Sequence, residues 1–97
     1  MYELRFHPEF FDDVKKLDHL EKERLVKNYA KIKDNPERSK HLAGGENCYT
    51  VRIGSLRVVY YVEGEIIWFL IVERRDSVYE AYFKRLHSLR TRFLDQG

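Results

Sequence analysis

The residues best suited to chemistry in this 97-residue chain are two arginines on either side of a glycine turn. Gly54-Ser55 suits a type II′ hairpin, because glycine takes the first central position without strain. If these two residues form the loop, Arg52 lies directly opposite Arg57 on one face of the sheet. Like charges that face each other across a strand pair are destabilising. The pair therefore indicates a site that binds a polyanion.

Arg74 and Arg75 end the third strand of this region, and either one is a candidate third cation. With Glu63-Gly64 as the second turn, strict alternation places four residues on the face of the first arginine pair: Trp68, Leu70, Val72 and Arg74. Arg75 faces the other way unless the strand end is irregular. Guanidinium groups bind phosphate oxygens bidentately, so three convergent arginines would form a phosphate clamp.

Other polar side chains lie near this strand end or in the loop before the hairpin. Tyr79 falls in the first turn of a final helix, where exposed backbone N–H groups favour an anion and a phenol ring can stack on an unpaired base. An equally good interpretation makes it a core anchor of that helix. His41 and Glu46, in a long loop, are candidate general bases for a ribose hydroxyl. Solvent-exposed loop residues are the simpler interpretation of both.

Metal and cofactor chemistry are not indicated, and no cofactor is expected. The single cysteine, Cys48, excludes an internal disulfide and suits a reducing compartment. The four histidines are scattered without ligand spacing: His7, His19, His41 and His87. No phosphate-loop glycine pattern and no Ser/His/Asp arrangement is present.

Composition indicates one soluble globular domain over residues 1–97. The hydrophobic fraction is 43% and the aromatic fraction 14%, as in folded domains, while the net charge is only +2, so any basic patch must be local. The longest apolar run, Ile66 to Val72, is too short to cross a bilayer. With no signal peptide visible, we expect a cytoplasmic protein without membrane contact.

The predicted elements are a strand, two helices, three strands and a helix, which is an α+β fold. Tyr2 to Phe6 alternates like a strand, and Pro8 suits the first turn of a helix. Capping boxes are predicted at Asp18 with Glu21, which starts the second helix, and at Ser77 with Glu80, which starts the last.

The predicted sheet has four strands: an antiparallel three-stranded meander and the N-terminal strand. Ile66 to Val72 is apolar on both faces, so this strand should be central and covered on both sides. The first strand should pair with an edge of the meander, beside this strand, although the sequence does not fix which edge. The helical hairpin should cover the sheet, and residues 37–47 should form the one long loop.

The run CYTVRIGSLRVVYYV, from Cys48 to Val62, resembles the RelE/ParE toxin superfamily of toxin–antitoxin modules, and more closely its RelE branch. Members carry the pattern Y-x-[VI]-[RK]-x-G-x-[YL]-R-[VL]-x-Y and a terminal R-x-x-x-Y, which here runs from Arg75 to Tyr79. With the opening strand and helical hairpin, the likeness covers nearly the whole chain and implies a RelE-like fold.

The resemblance implies an mRNA endonuclease that acts in the ribosomal A site by attack of the ribose 2′-OH on the adjacent phosphate. Carried over by position, Arg57 would stabilise the phosphate and Arg52 would be a second basic contact. Arg75 would be the third clamp residue, and Tyr79 would stack on or position the RNA. The implied partners are a cognate antitoxin, the ribosome and mRNA.

Three departures from the family pattern keep other functions open. Thr50, a candidate RNA-binding residue, stands where a basic residue is common, the net charge is lower than in many members, and the last helix, to about Leu94, is longer. A ParE-like gyrase inhibitor and a catalytically inactive binding module are therefore alternatives. The last helix is also a candidate surface for the antitoxin or for a homodimer, through an apolar stripe that could equally pack on its own sheet: Tyr82, Leu86, Leu89 and Phe93.

Overall fold

The computed structural model describes residues 1–42 and 47–91. Glu46, Phe93 and Leu94, which carry predictions made above, lie outside these ranges. The elements in chain order are β1 (Glu3–Phe6), α1 (Pro8–Lys15), α2 (His19–Asp34), a 3-10 turn (Pro36–Arg38), β2 (Lys40–His41), β3 (Cys48–Ile53), β4 (Leu56–Glu63), β5 (Ile66–Glu73) and α3 (Val78–Leu89).

The helix starts follow local side-chain chemistry in two of three cases. Pro8 occupies the first position of α1, as predicted. The first capping box is confirmed, since the Glu21 N–H donates to Asp18 at 2.8 Å and the Asp18 N–H donates to Glu21 at 2.9 Å. The second is wrong, because the Ser77 hydroxyl donates to Glu73 at 2.7 Å and does not cap α3.

The sheet of the described residues has five strands in the order β1-β5-β4-β3-β2. β1 runs parallel to β5, and the other pairs are antiparallel. The predicted position of the first strand beside Ile66–Glu73 is confirmed. The four-strand prediction is wrong by one, because Lys40–His41 pairs with β3 inside the segment predicted as a loop.

The two hairpin turns differ in how well the sequence predicted them. Ile53 pairs with Leu56, so Gly54-Ser55 is the first loop, and Gly54 has the positive φ of +62° expected at the first position of a type II′ turn. The second loop is Gly64-Glu65, one residue later than predicted, with Gly64 at φ +58°. In both turns, the positive φ falls on the glycine.

A bulge in β5 changes which side chains share a face. Val59 pairs with Ile71 while Tyr60 pairs with Phe69, so Leu70 has no partner on β4. The extra residue reverses the alternation that follows it. Trp68 and Leu70 lie on the predicted face with Arg57, but the prediction is wrong for Val72 and Arg74, which lie on the opposite face.

Two apolar layers cover the sheet, one on each face. The layer beneath α1 and α2 contains an aromatic group in ring contact: Phe6, Phe10, Tyr29, Tyr60 and Phe69. The layer beneath α3 contains Cys48, Tyr61, Trp68, Ile71, Val78, Tyr82, Leu86 and Leu89. Six consecutive residues of β5, from 67 to 72, are buried, which confirms that this strand is central.

Beyond the end of β1, the buried ion pair of Asp13 and Arg85 provides hydrogen-bond partners for the edge of β5. β1 pairs with β5 only as far as Phe69. Past that point, Asp13 accepts a hydrogen bond from the Val72 N–H at 3.1 Å, and Arg85 donates to the Leu70 carbonyl at 2.8 Å. Arg85 also donates to Asp13 at 2.5 and 3.1 Å. Side chains of α1 and α3 thus satisfy the backbone groups that a longer β1 would have paired.

Candidate functional site

A groove of about 450 Å³ opens on the α3 face of the sheet, where β2, β3 and the start of α3 meet. It is lined by Lys40, Thr50, Arg52, Asp76 and Tyr79. Thr50 and Arg52 are two residues apart on β3, so they point to the same side. Three of the lining residues were predicted as site residues, and Lys40 and Asp76 were not.

Lys40 brings a second cation to the groove from the edge strand. It is the direct partner of Thr50 across the β2–β3 pair, so both side chains project from the same face. It is exposed and forms no ion pair with the described residues. Lys40 therefore lies beside Thr50, the position at which the family pattern commonly has a basic residue.

Arg52 and Arg57 are direct partners across β3 and β4, as predicted. Arg52 is exposed, lines the groove, and makes no hydrogen bond or ion pair within the described ranges. Arg57 is different, with only 17% of its side chain exposed. Its Nη1 donates to the carbonyls of Ser55 at 3.2 Å and Arg74 at 2.5 Å.

Asp76 forms an ion pair with Nε of Arg57, without the angle of a good hydrogen bond. Glu73 lies directly across β4–β5 from Arg57. The repulsion expected between the facing arginines is therefore relieved, because the Asp76 carboxylate pairs with Arg57, Glu73 adds a negative charge on the neighbouring strand, and Arg52 is open to water.

Tyr79 is half-buried and serves both the groove and the core. The Thr50 hydroxyl donates to its phenolic oxygen at 3.4 Å, and its ring packs against the layer beneath α3. The predicted anion site at the start of α3 is not supported. The N–H groups of Tyr79 and Glu80 already donate to the carbonyls of Asp76 and Ser77, at 3.0 and 3.1 Å.

Arg74 and Arg75 do not join the groove. Arg74 lies on the α2 side, where its Nε donates to Glu21 at 2.7 Å, and this hydrogen bond lowers the pKa of Glu21 below its usual 4.5. Arg75 is exposed and lines a separate hollow of about 390 Å³ with Asp13 and Lys16. The predicted convergence of three arginines is therefore wrong for this structure, because the bulge turns Arg74 away.

His41 lies on the opposite face of the sheet from the groove. It pairs with Tyr49, and the two rings meet edge to face with centroids 5.2 Å apart. Because Lys40 faces the groove, its neighbour on the same strand must face away. His41 therefore has no access to a ligand held by Arg52.

The described residues do not support cysteine or metal chemistry. Cys48 is fully buried, and burial raises the pKa of its thiol to about 11, so it is not a nucleophile. Within residues 1–42 and 47–91, no three His, Cys, Asp or Glu side chains are arranged to hold a metal ion. What the groove offers is two open cations, one carboxylate and one phenol, a set suited to a phosphodiester and an adjacent hydroxyl.

Comparisons with known proteins give one family and one fold. Residues 4–79 match the family model of the ParE toxin of the type II toxin–antitoxin system parDE. A free-state double arginine-to-alanine variant of the E. coli toxin RelE is 27% identical, with a TM-score of 0.76 over 88% of this chain and 97% of that one.

Two structures solved with antitoxins are similar as well. A chain of the intact E. coli RelBE toxin–antitoxin complex is 25% identical, with a TM-score of 0.71 over 78% of this chain and 99% of its own. A chain of the RelBE2 complex from Mycobacterium tuberculosis is 22% identical, with a TM-score of 0.68 over 76% of this chain and 98% of its own, and shows the same fold.

No curated protein matches the sequence significantly. Of the helices in the described ranges, none combines the length and apolar character that crossing a bilayer requires.

Proposed function

Because the chain belongs to the ParE toxin family of type II toxin–antitoxin systems and has the fold of RelE toxins, we propose that this toxin is a RelE-like endoribonuclease. Its substrate is mRNA in the ribosomal A site, and its effect is to stop translation. Action on ribosomes requires a cytoplasmic location.

One observation carries this proposal: the groove between β2, β3 and α3 holds two cations that the described protein leaves unpaired. Lys40 and Arg52 line it together, next to the phenol of Tyr79. Unpaired cations on a sheet face contribute little to folding, but they attract and orient a phosphodiester. The phenol ring is placed to stack on a base or to position the ribose.

The chemistry follows from these groups. The ribose 2′-OH attacks the adjacent phosphorus, and negative charge grows on the non-bridging oxygens. Arg52 donates hydrogen bonds to those oxygens, and Lys40 neutralises charge from the neighbouring strand. Arg57, behind them, keeps the hairpin and the start of α3 in place through its bonds to two carbonyls.

The cognate antitoxin is part of the same proposal, since RelE chains of this fold have been solved in complexes with RelB antitoxins. The last helix is a weaker candidate for a docking surface or a homodimer than the sequence suggested. Tyr82, Leu86 and Leu89 of its apolar stripe are buried against the chain's own sheet.

Primer extension on ribosome-bound message tests the proposal. The purified toxin should produce breaks within the A-site codon that require ribosomes. A message with 2′-O-methyl groups at that codon is the matched control, because it can bind but lacks the attacking hydroxyl. Breaks in the methylated message, or none in either message, would contradict the proposed reaction.

The match to a ParE family model favours one alternative, a toxin that inhibits DNA gyrase and cleaves no RNA. Such a protein has no need of the open Lys40–Arg52 pair. Supercoiling by purified gyrase separates the two functions: we expect no inhibition at saturating toxin. Inhibition that persists in a Lys40→Ala, Arg52→Ala variant would favour the alternative.

A further inference from the structure

Cleavage by 2′-OH attack needs a group that removes the hydroxyl proton, and Glu46, one of the two residues predicted for this task, lies outside the described residues. His41 lies on the other face of the sheet. Of the described residues lining the groove, Asp76 alone carries a carboxylate. We propose that Asp76 is the general base of the RNA cleavage; this inference rests on the ribonuclease function proposed above.

The backbone holds Asp76 at the mouth of the groove. It lies in the turn between β5 and α3, and its carbonyl accepts the Tyr79 N–H at 3.0 Å. The position of its main chain is therefore coupled to the residue that positions the ribose. A carboxylate on a mobile loop would lack this coupling.

The Asp76 carboxylate is oriented by Arg57 and is accessible to solvent. One oxygen faces Nε of Arg57, while 72% of the side chain is exposed. The second oxygen is therefore free to accept a proton from a substrate hydroxyl in the groove. The charged groups around it are Arg57 on β4, Arg52 on β3 and Lys40 on β2, with Glu73 at the end of β5.

Arg57 acts here as a positioning residue. It has only 17% exposure, its Nη1 bonds two carbonyls, its Nε faces Asp76, and it is not among the residues that line the groove. Substrate phosphate is therefore left to the open cations Arg52 and Lys40. This division of roles assigns removal of the 2′-OH proton to Asp76 and the charge stabilisation to the outer cations.

The reaction step balances as follows. The Asp76 carboxylate takes the 2′-OH proton as the 2′-oxygen forms a bond to phosphorus. The bond from phosphorus to the 5′-oxygen of the next nucleotide breaks, and that oxygen takes a proton from the Lys40 ammonium. The products are a 2′,3′-cyclic phosphate and a free 5′-hydroxyl, and solvent restores both side chains to their starting protonation states.

The test compares Asp76→Asn with Glu73→Gln. The second variant also removes one negative charge, from the residue that pairs with Arg57 across β4–β5, but this residue does not line the groove. We expect Asp76→Asn to lower kcat by about 10²- to 10⁴-fold on ribosome-bound message. RNA affinity should be unchanged or tighter, because a negative charge is lost. The acidic rise of the rate–pH profile should disappear. Glu73→Gln should cleave at the wild-type rate with the wild-type profile.

Each contrary result has a distinct meaning. Cleavage by Asp76→Asn at the wild-type rate overturns the role of Asp76, and a faster rate shows that the carboxylate merely masks Arg57. A wild-type chain that leaves message intact contradicts the ribonuclease function itself. Should Asp76→Asn fail to fold, Asp76→Glu, which keeps the carboxylate but displaces it, should retain part of kcat with KM unchanged; full activity or none would count against the proposal.

Discussion

Two arginines that face each other across one hairpin have different surroundings, and therefore different roles. Arg57 is mostly buried and tied to Asp76 and two backbone carbonyls. Arg52 is exposed and unpaired in the described structure. Removing Arg57 would disturb the turn and the start of α3, so a loss of activity in Arg57→Ala would not by itself identify a substrate contact. Arg52 is the cleaner probe.

Arg52→Ala should weaken binding of a short single-stranded RNA by about 10- to 100-fold, the worth of one charge-assisted hydrogen bond. The melting temperature of this variant should match that of the wild-type protein, because the Arg52 side chain makes no internal bond in the described ranges. Fluorescence anisotropy and calorimetry measure the two quantities. The control is Arg5→Ala, which removes an arginine from the same sheet face at the opposite edge. Equal losses in both variants would mean that binding follows overall charge and not the groove.

At the scale of elements, the bulge in β5 is stabilised from outside the sheet. Asp13 on α1 and Arg85 on α3 bond to the backbone on either side of Ile71 and to each other. The bulge in turn decides that Arg74 faces α2 while Glu73 faces Arg57. The composition of the groove thus depends on an ion pair that lies outside it.

Asp13→Ala should destabilise the protein by about 3–5 kcal/mol, because in a buried site it leaves the Val72 N–H without its acceptor and leaves Arg85 with Glu9, 3.7 Å away, as its remaining carboxylate partner. Equilibrium urea denaturation measures the loss. Asp12→Ala is the neighbouring control, since that side chain is 69% exposed and its pair with Lys15 is 3.8 Å long, so its effect should be small. Comparable stability of the two variants would show that the buried pair does not stabilise the fold.

For the molecule as a whole, contacts between elements distant in sequence hold the sheet between its two helical layers. Glu21, at the start of α2, binds Arg74, which follows β5. This pair joins the first third of the chain to the last, so its protonation state affects global stability. The pKa of Glu21 is lowered chiefly by the Arg74 hydrogen bond and next by the Asp18 N–H.

A lowered pKa in the folded state fixes the sign of the pH dependence. The unfolded chain binds the proton more readily, so the contribution of Glu21 is complete above its usual pKa of 4.5 and is lost as the pH falls through the lower folded value. Glu21→Gln should therefore reduce the melting temperature at neutral pH, with the difference shrinking on acidification below 4.5. Glu23→Gln, on the same helix with a half-exposed side chain, should show little change at either pH. A difference for Glu21→Gln that stays constant across this pH range would contradict the assignment.

Local rules in the sequence determined much of this protein. The two-residue loop at Gly54-Ser55 set the register that pairs Arg52 with Arg57, and Asp18 with Glu21 set the start of α2. The order of the three helices and the four longer strands, the central position of β5 and the family were likewise predictable. Each depends on residues close together in the chain, where turn geometry, capping and alternation leave few choices.

Tertiary structure decided the composition of the groove. The bulge at Leu70 follows no local signal that we identified, and it turned Arg74 away from the predicted face. Lys40 lies in the site because the two-residue strand β2 pairs with β3. Asp76 lies there because it forms an ion pair with Arg57. These outcomes depend on pairing and burial between segments that are distant in sequence. The alternation of residues along a single strand carries no information about them.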